Sequence, residues 1–230
     1  MGFKNIKRDS TSKMIIKQIK DQISNGELEA GEKLPTERKL AELLGVSRTS
    51  VREAIQALAF SGYLDVIQGK GAFVKENASK YDEMLNLFSR ISDFSLPALM
   101  EVRIMFESEF ARLAALRANE DNIEEIKEKF KAMKNIENIN IFIIKDLEFH
   151  LSIAKATHNP LMNTLMRIFG ELLHQETNTI KKYSKESQTR TVETSSKLVK
   201  AIQDKYPEKA SELMILHLRG LGLEDYEDNI

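Results

Sequence analysis

Apolar residues recur at helical spacing through most of the chain, and one short stretch breaks the pattern. Residues 11–24 carry Met14, Ile15, Ile19 and Ile23 on one face, an amphipathic helix. Residues 26–33 read as a loop. Pro35 and Thr36 open a second helix, with Thr36 as its N-cap and Leu40, Leu43 and Leu44 as its apolar stripe. Gly45 ends it, being free to adopt a positive φ. Ser47 caps a third helix, whose Val51, Ala54, Ile55 and Leu58 face inward. Thr49, Arg52 and Gln56 point the other way, and Arg48 sits at the edge. Gly62 ends that helix. Residues 63–67 then read as a strand, 68–71 as a tight turn and 72–74 as a returning strand.

Residues 76–80 lack an apolar pattern, and from Tyr81 onward the spacing is helical throughout. Leu85, Leu87 and Phe88 mark a short helix. Residues 96–119 form a long one, with Val102, Phe106, Phe110, Leu113 and Ala114 on one face. Residues 121–136 are charged and amphipathic, and 141–157 are strongly apolar. Asn159-Pro160 breaks that run, and Pro160 starts a helix to about residue 183. Residues 186–204 and 207–221 form the last two. No strand alternation appears after residue 76, so a helical bundle follows. The expected organisation is mainly α: an N-terminal winged helix-turn-helix at 1–76, a linker at 77–80, and an all-α bundle at 81–230. A polar arm at 1–9 and an acidic tail at 224–228 fray.

Charge sharpens this division. The whole chain carries −1, but residues 1–76 hold 13 Lys+Arg against 10 Asp+Glu, and the remainder holds 21 against 25. The positive half is the one suited to phosphate. The chain has no cysteine, which excludes disulfides and thiolate metal sites and fits a reducing cytoplasm. No apolar signal core or membrane-length run is present, so no membrane partner is expected.

Two short helices joined by a glycine turn and followed by a basic, glycine-rich hairpin form a winged helix-turn-helix. The N-terminal residues of its second helix meet base edges in the major groove. Here these are Ser47, Arg48, Thr49 and Arg52, suited to phosphate and guanine contacts. The wing tip falls at Gly69 and Lys70. The stretch resembles the DNA-binding domain of the GntR family of bacterial transcription regulators. The resemblance is carried by Gly31, Leu34-Pro35-Thr36-Glu37-Arg38, Gly45-Val46-Ser47-Arg48, Val51-Arg52-Glu53-Ala54, Leu58, Gly62 and residues 69–74. It implies that Arg38, Ser47, Arg48, Thr49, Arg52, Gln68 and Gly69 contact double-stranded operator DNA. Lys70 at the basic wing tip adds a phosphate contact, and one module offers too little contact alone, so a homodimer on two half-sites is expected.

In the helical part, Asp146 and His150 are four residues apart and project from one helix face amid Phe142, Ile143, Phe149 and Ile153. His217 sits in line with Ala210, Leu213, Met214 and Leu221. Such a set suits Zn²⁺, Ni²⁺ or Mn²⁺, and equally a hydrogen-bonded Asp–His pair. Residues 81–222 resemble the FCD effector domain of the FadR subfamily, through Glu101-Val102-Arg103, Glu107, Asp146, His150, Asn159-Pro160, Ala201, Ala210 and His217. The resemblance implies a divalent metal at Asp146, His150 and His217, with Ser195 at the place of a further histidine. It also puts Arg103 and Ser195 at the effector pocket. Arg103 either pairs bidentately with a carboxylate effector or bridges to Glu107, four residues on. Asn159 reads as a helix cap. His174, beside Arg167, Glu171 and Asn178, reads as solvated, and His158 has no evident partner.

The expected function is a dimeric repressor, not an enzyme, whose operator binding responds to a small organic acid, with a divalent ion assisting. One alternative is a metal-independent sensor of an acyl-CoA or other bulky ligand. Another is a metal hydrolase using Asp146, His150 and His217, which lacks a general base beside those ligands and leaves the winged module without a purpose.

Overall fold

The computed structural model describes residues 10–76, 95–176 and 184–220, which fall into two compact units, Met1–Phe88 and Ser89–Ile230. The first holds α1 (Thr11–Ser24), α2 (Glu37–Leu44), α3 (Arg48–Phe60), β1 (Leu64–Ile67) and β2 (Gly71–Val74). Each helix starts where a side chain satisfies a free backbone N–H. Ser10 Oγ accepts from Lys13 N, Thr36 Oγ1 from Lys39 N, and Ser47 Oγ from Ser50 N. Gly45 closes α2 in the left-handed region at φ 66°. Ile15, Ile16, Ile19, Leu40, Val51, Ala54 and Leu58 bury the inner faces. The hairpin is antiparallel, with Leu64 opposite Val74 and Ile67 opposite Gly71. Residues 31–34 run along its free edge: Leu34 N donates to Ala72 O at 2.9 Å and Val74 N to Glu32 O at 2.8 Å. The wing is thereby tied to the loop before α2.

The second unit contains α4 (Leu96–Arg117), α5 (Glu120–Met133), α6 (Ile139–Lys155), α7 (Pro160–Glu176), α8 (Lys185–Gln203) and α9 (Pro207–Arg219) among the described residues. Caps again fix the starts: Ser95, Asn119, Asn138 and Ser184 each accept from a first-turn N–H. Asn159 Oδ1 accepts from Leu161 N at 3.0 Å, as the sequence suggested. Helix α6 is the most enclosed, with Phe142, Phe149 and Ile153 fully buried. Helix α4 packs on α6, α7, α8 and α9, which brings its inner face to the middle of α6, where Asp146 and His150 lie.

Three apolar positions differ from expectation. Met14, Leu43 and Val102 face solvent. Val102 shares its side of α4 with the exposed Met105 and Leu116, a side that no described helix of the chain covers. Two polar positions differ in the opposite sense. Glu171 is buried, so that side of α7 is not a solvated face, and Gln56 is half-buried with its Oε1 enclosed. The short helix around Leu85, the linker at 77–80, the terminal arm and tail, Asn178 and the His174 side chain lie outside the described residues.

The left-handed cap makes a simple prediction. Gly45→Ala has open space for its Cβ but keeps φ at 66°, so it should cost about 1 kcal/mol of backbone strain. Urea unfolding of the full chain, followed by a probe in the first unit, measures it; an unchanged midpoint contradicts the cap.

Candidate functional site

Each DNA-facing candidate reaches the surface of the first unit. Arg38 lies on α2, with 79% of its side chain exposed and Glu42 at 3.8 Å. Arg48, Thr49 and Arg52 follow one another on the exposed side of α3, and Gln68, Gly69 and Lys70 form the exposed tip of the wing. Ser47 is exposed too, although its hydroxyl is engaged as the cap of α3. Arg52 is not free in space. Its Nε donates to Glu37 Oε2 at 3.2 Å and its Nη2 to the same oxygen at 3.0 Å. Glu37 opens α2, so this pair ties the start of one helix to the side of the next.

The second unit buries a chain of charged groups. On α4, Arg103 Nε donates to Glu107 Oε1 at 2.6 Å, and both side chains are enclosed. Glu107 Oε2 lies 2.5 Å from His150 Nδ1. On the other side of that ring, His150 Nε2 lies 2.9 Å from His217 Nε2. Asp146 approaches both, with Oδ1 3.4 Å from His217 Nε2 and Oδ2 3.6 Å from His150 Nε2. Sequence spacing foresaw Asp146, His150 and His217 as neighbours, and the fold brings them together in a fully enclosed position. Phe149 meets the His150 ring edge-on and the His217 ring at a tilt, at ring-centre distances of 5.9 and 6.4 Å.

The two readings of Arg103 meet in one geometry. The bridge to Glu107 forms, so Nε is not available for a bidentate grip on a ligand. Nη1 points at Met100 Sδ, and the buried Nη2 has no hydrogen-bond partner. Ser195 is wholly buried on α8, but its Oγ stands 3.2 Å from His217 Nδ1, the nitrogen turned away from Asp146. It therefore does not stand in for a histidine ligand. Thr194 Oγ1 shares that contact, also at 3.2 Å. Sequence reading missed Glu107 as the partner of His150, and it missed Thr194. Glu107 carried a signal: it sits three residues before Phe110 on the apolar face of α4, where an unpaired carboxylate is costly.

Burial disfavours every charge here, and the neighbours overturn that. Arg103 and His150 hold Glu107 down at about 2. His217 and His150 hold Asp146 far below the ordinary carboxylate range. Burial pushes His150 down, but Glu107 and Asp146 together lift it to about 9. Without another cation, then, a proton on His150 fills the space between the inner nitrogens and Asp146. A group with a raised folded-state pKa contributes stability below its unfolded value and loses it as pH rises through the folded value. Chelator-treated protein should therefore lose thermal stability between pH 6.5 and about pH 9. Glu107 adds a second loss on the acid side, as pH falls from 4.5 through about 2. Calorimetric melting across both ranges tests this; a flat alkaline limb removes the proton from His150.

Comparisons with known proteins agree with the two-unit division. The family model described as "Bacterial regulatory proteins, gntR family" matches residues 11–74, and that described as "FCD domain" matches residues 98–220. The chain is 33% identical to the HTH-type transcriptional regulator LutR of Bacillus subtilis (strain 168) over 219 residues, which cover 90% of this chain and 99% of that protein. It is 28% identical to the Exu regulon transcriptional regulator of Escherichia coli (strain K12) over 227 residues, covering 92% and 85%. Among solved structures it is similar to Streptococcus agalactiae GntR, with a TM-score of 0.50, 25% identity and coverage of 90% and 97%. No helix among the described residues is long and apolar enough to cross a membrane.

Proposed function

The chain belongs to the GntR family of bacterial transcription regulators, with an FCD domain behind its DNA-binding domain, and from that premise we propose that a divalent cation and an organic carboxylate, bound together in the helical unit, control its grip on operator DNA. The reading makes it a repressor, working as a homodimer on a pseudo-palindrome. One winged module offers too little contact for high specificity alone. Support for the dimer comes from the uncovered side of α4, where Val102, Met105 and Leu116 are exposed. At the DNA, Arg48 and Arg52 read bases. Arg38, Ser47 and Thr49, with Gln68, Gly69 and Lys70 of the wing, hold the register on phosphate.

The observation that carries the metal reading is the convergence of Asp146, His150 Nε2 and His217 Nε2 in an enclosed space. Two imidazole nitrogens 2.9 Å apart suit adjacent positions on an octahedral ion with bonds of about 2.1 Å. Carboxylate and imidazole donors favour Zn²⁺, Ni²⁺ or Mn²⁺. Glu107 on the far nitrogen of His150 is the kind of carboxylate support that metal-bound histidines have. Three protein donors leave positions for an external ligand.

Charge balance then selects the effector. Arg103 and a protonated His150 offset Glu107 and Asp146. Exchanging that proton for a divalent ion leaves the enclosed group with one excess positive charge. A carboxylate restores neutrality, and the buried Nη2 of Arg103 offers it a donor. Cation and effector each favour the other's binding, and the coupling is reciprocal. The effector acts on DNA only through its differing affinity for the operator-competent and incompetent arrangements.

Two measurements test the reading. Arg48→Ala should weaken specific operator binding by about 1–3 kcal/mol, while Lys70→Ala should weaken all sequences alike and flatten the salt dependence. Operator affinity unchanged in Arg48→Ala removes the recognition-helix assignment. For the ligand site, Zn²⁺, Ni²⁺ and Mn²⁺ are titrated by calorimetry into metal-stripped protein, with and without organic acids chosen by thermal shift. Binding should tighten when the acid is present and vanish in His217→Ala. Failure of all three ions under both conditions returns the domain to a metal-independent sensor.

A further inference from the structure

Helix α8 sets two hydroxyls against one ring nitrogen of His217. Thr194 Oγ1 lies 2.9 Å from Arg190 O and 3.0 Å from Thr191 O, both on its own helix. Carbonyl oxygens only accept, so the single hydroxyl proton of Thr194 is committed to that backbone. The same oxygen stands 3.2 Å from His217 Nδ1 and has lone pairs alone to offer it. Ser195 Oγ stands at the same distance from that nitrogen, and its hydroxyl can rotate to accept as well. A bare Nδ1 would set its lone pair against that of Thr194 beside the buried ring, a repulsive and unsatisfied contact.

We propose that Thr194 and Ser195 are positioning residues that hold His217 as its Nδ1–H tautomer and so keep the Nε2 lone pair turned toward Asp146 and His150. The bonds of Thr194 to its own helix carry the assignment, for the metal-free ring as for an ion-bound one. The tautomer's value for ion binding rests on the metal reading above. A ring held this way needs no proton rearrangement before ligating. It also has the outer support that a metal-bound imidazole requires, supplied by hydroxyls where Glu107 supplies a carboxylate to His150. The two rings are thus supported unequally. The carboxylate makes His150 the more basic donor, and the neutral hydroxyls leave His217, on the last helix, the weaker one.

The test uses full-length, metal-stripped protein labelled with ¹⁵N at histidine, of which the chain has only four. Long-range proton–nitrogen NMR correlations identify the protonated nitrogen of each ring, and His217→Gln assigns its signals. The expected result is a protonated Nδ1 and a bare Nε2 on His217. In Thr194→Val/Ser195→Ala that preference should be lost. Calorimetric affinity for Zn²⁺ and Ni²⁺ should fall about 10–100-fold, with a smaller fall in Ser195→Ala, where Thr194 remains. A proton on Nε2 of wild-type His217, alone or in addition, overturns the proposal. So does a double variant whose tautomer and ion affinity match wild type. If wild type shows the expected tautomer and the double variant loses it, while neither ion binds wild type, the positioning role stands and the metal reading falls.

Discussion

Four charges taken out of water together set the terms for the helical unit. An isolated buried ion costs several kcal/mol, and only close partners of opposite sign repay it. Arg103 and Glu107 come from one turn of α4, and Asp146 and His150 from one turn of α6. Each helix delivers a pair, and the Glu107–His150 contact at 2.5 Å joins the pairs. The alignment of α4 against α6 is therefore fixed by charge as well as by packing. Sliding either helix by one turn would part Glu107 from His150 and leave each pair with only the partner on its own helix. The burial of all four side chains strengthens each contact and raises the cost of losing one.

The first unit is held by different means. Its helices are short, and their boundaries are set by local side-chain caps at Thr36 and Ser47 and by the left-handed Gly45. The wing is anchored by backbone hydrogen bonds to residues 31–34. On the function proposed above, the DNA-contacting side chains lie in the first unit and the charges that a ligand would rebalance lie in the second.

How much of this was legible in the sequence depended on range. Caps, helix ends and the hairpin are local, and Thr36, Gly45, Ser47, Asn159 and Pro160 announced them. Asp146, His150 and His217 were legible because each is a polar residue inside an apolar stripe. Periodicity does not say which helix lies opposite, so Glu107 was paired only with Arg103 on its own helix. Its contact with His150 joins residues that no spacing rule relates. Ser195 was placed on the correct face, but the side from which it meets His217 depends on how α8 and α9 pack. Val102 and Leu43 were misread for a related reason. An apolar residue at helical spacing shows that a face is sticky, not that the same chain covers it. Glu171 errs in the reverse direction, since a charged residue is no guarantee of exposure.

The clasp between Arg52 and Glu37 has a consequence for sequence selectivity. An arginine that waits in solvent loses rotational freedom when it meets a base. Arg52 has already given up part of that freedom to a carboxylate at the head of α2. Where Arg52 reads a guanine, as proposed above, binding is then an exchange of acceptors rather than the gain of a new one. On an unsuitable base the side chain would return to Glu37 instead of being stranded. On that proposal the clasp would trade some strength on the correct operator for tolerance of imperfect ones, and would let the protein leave non-cognate DNA readily.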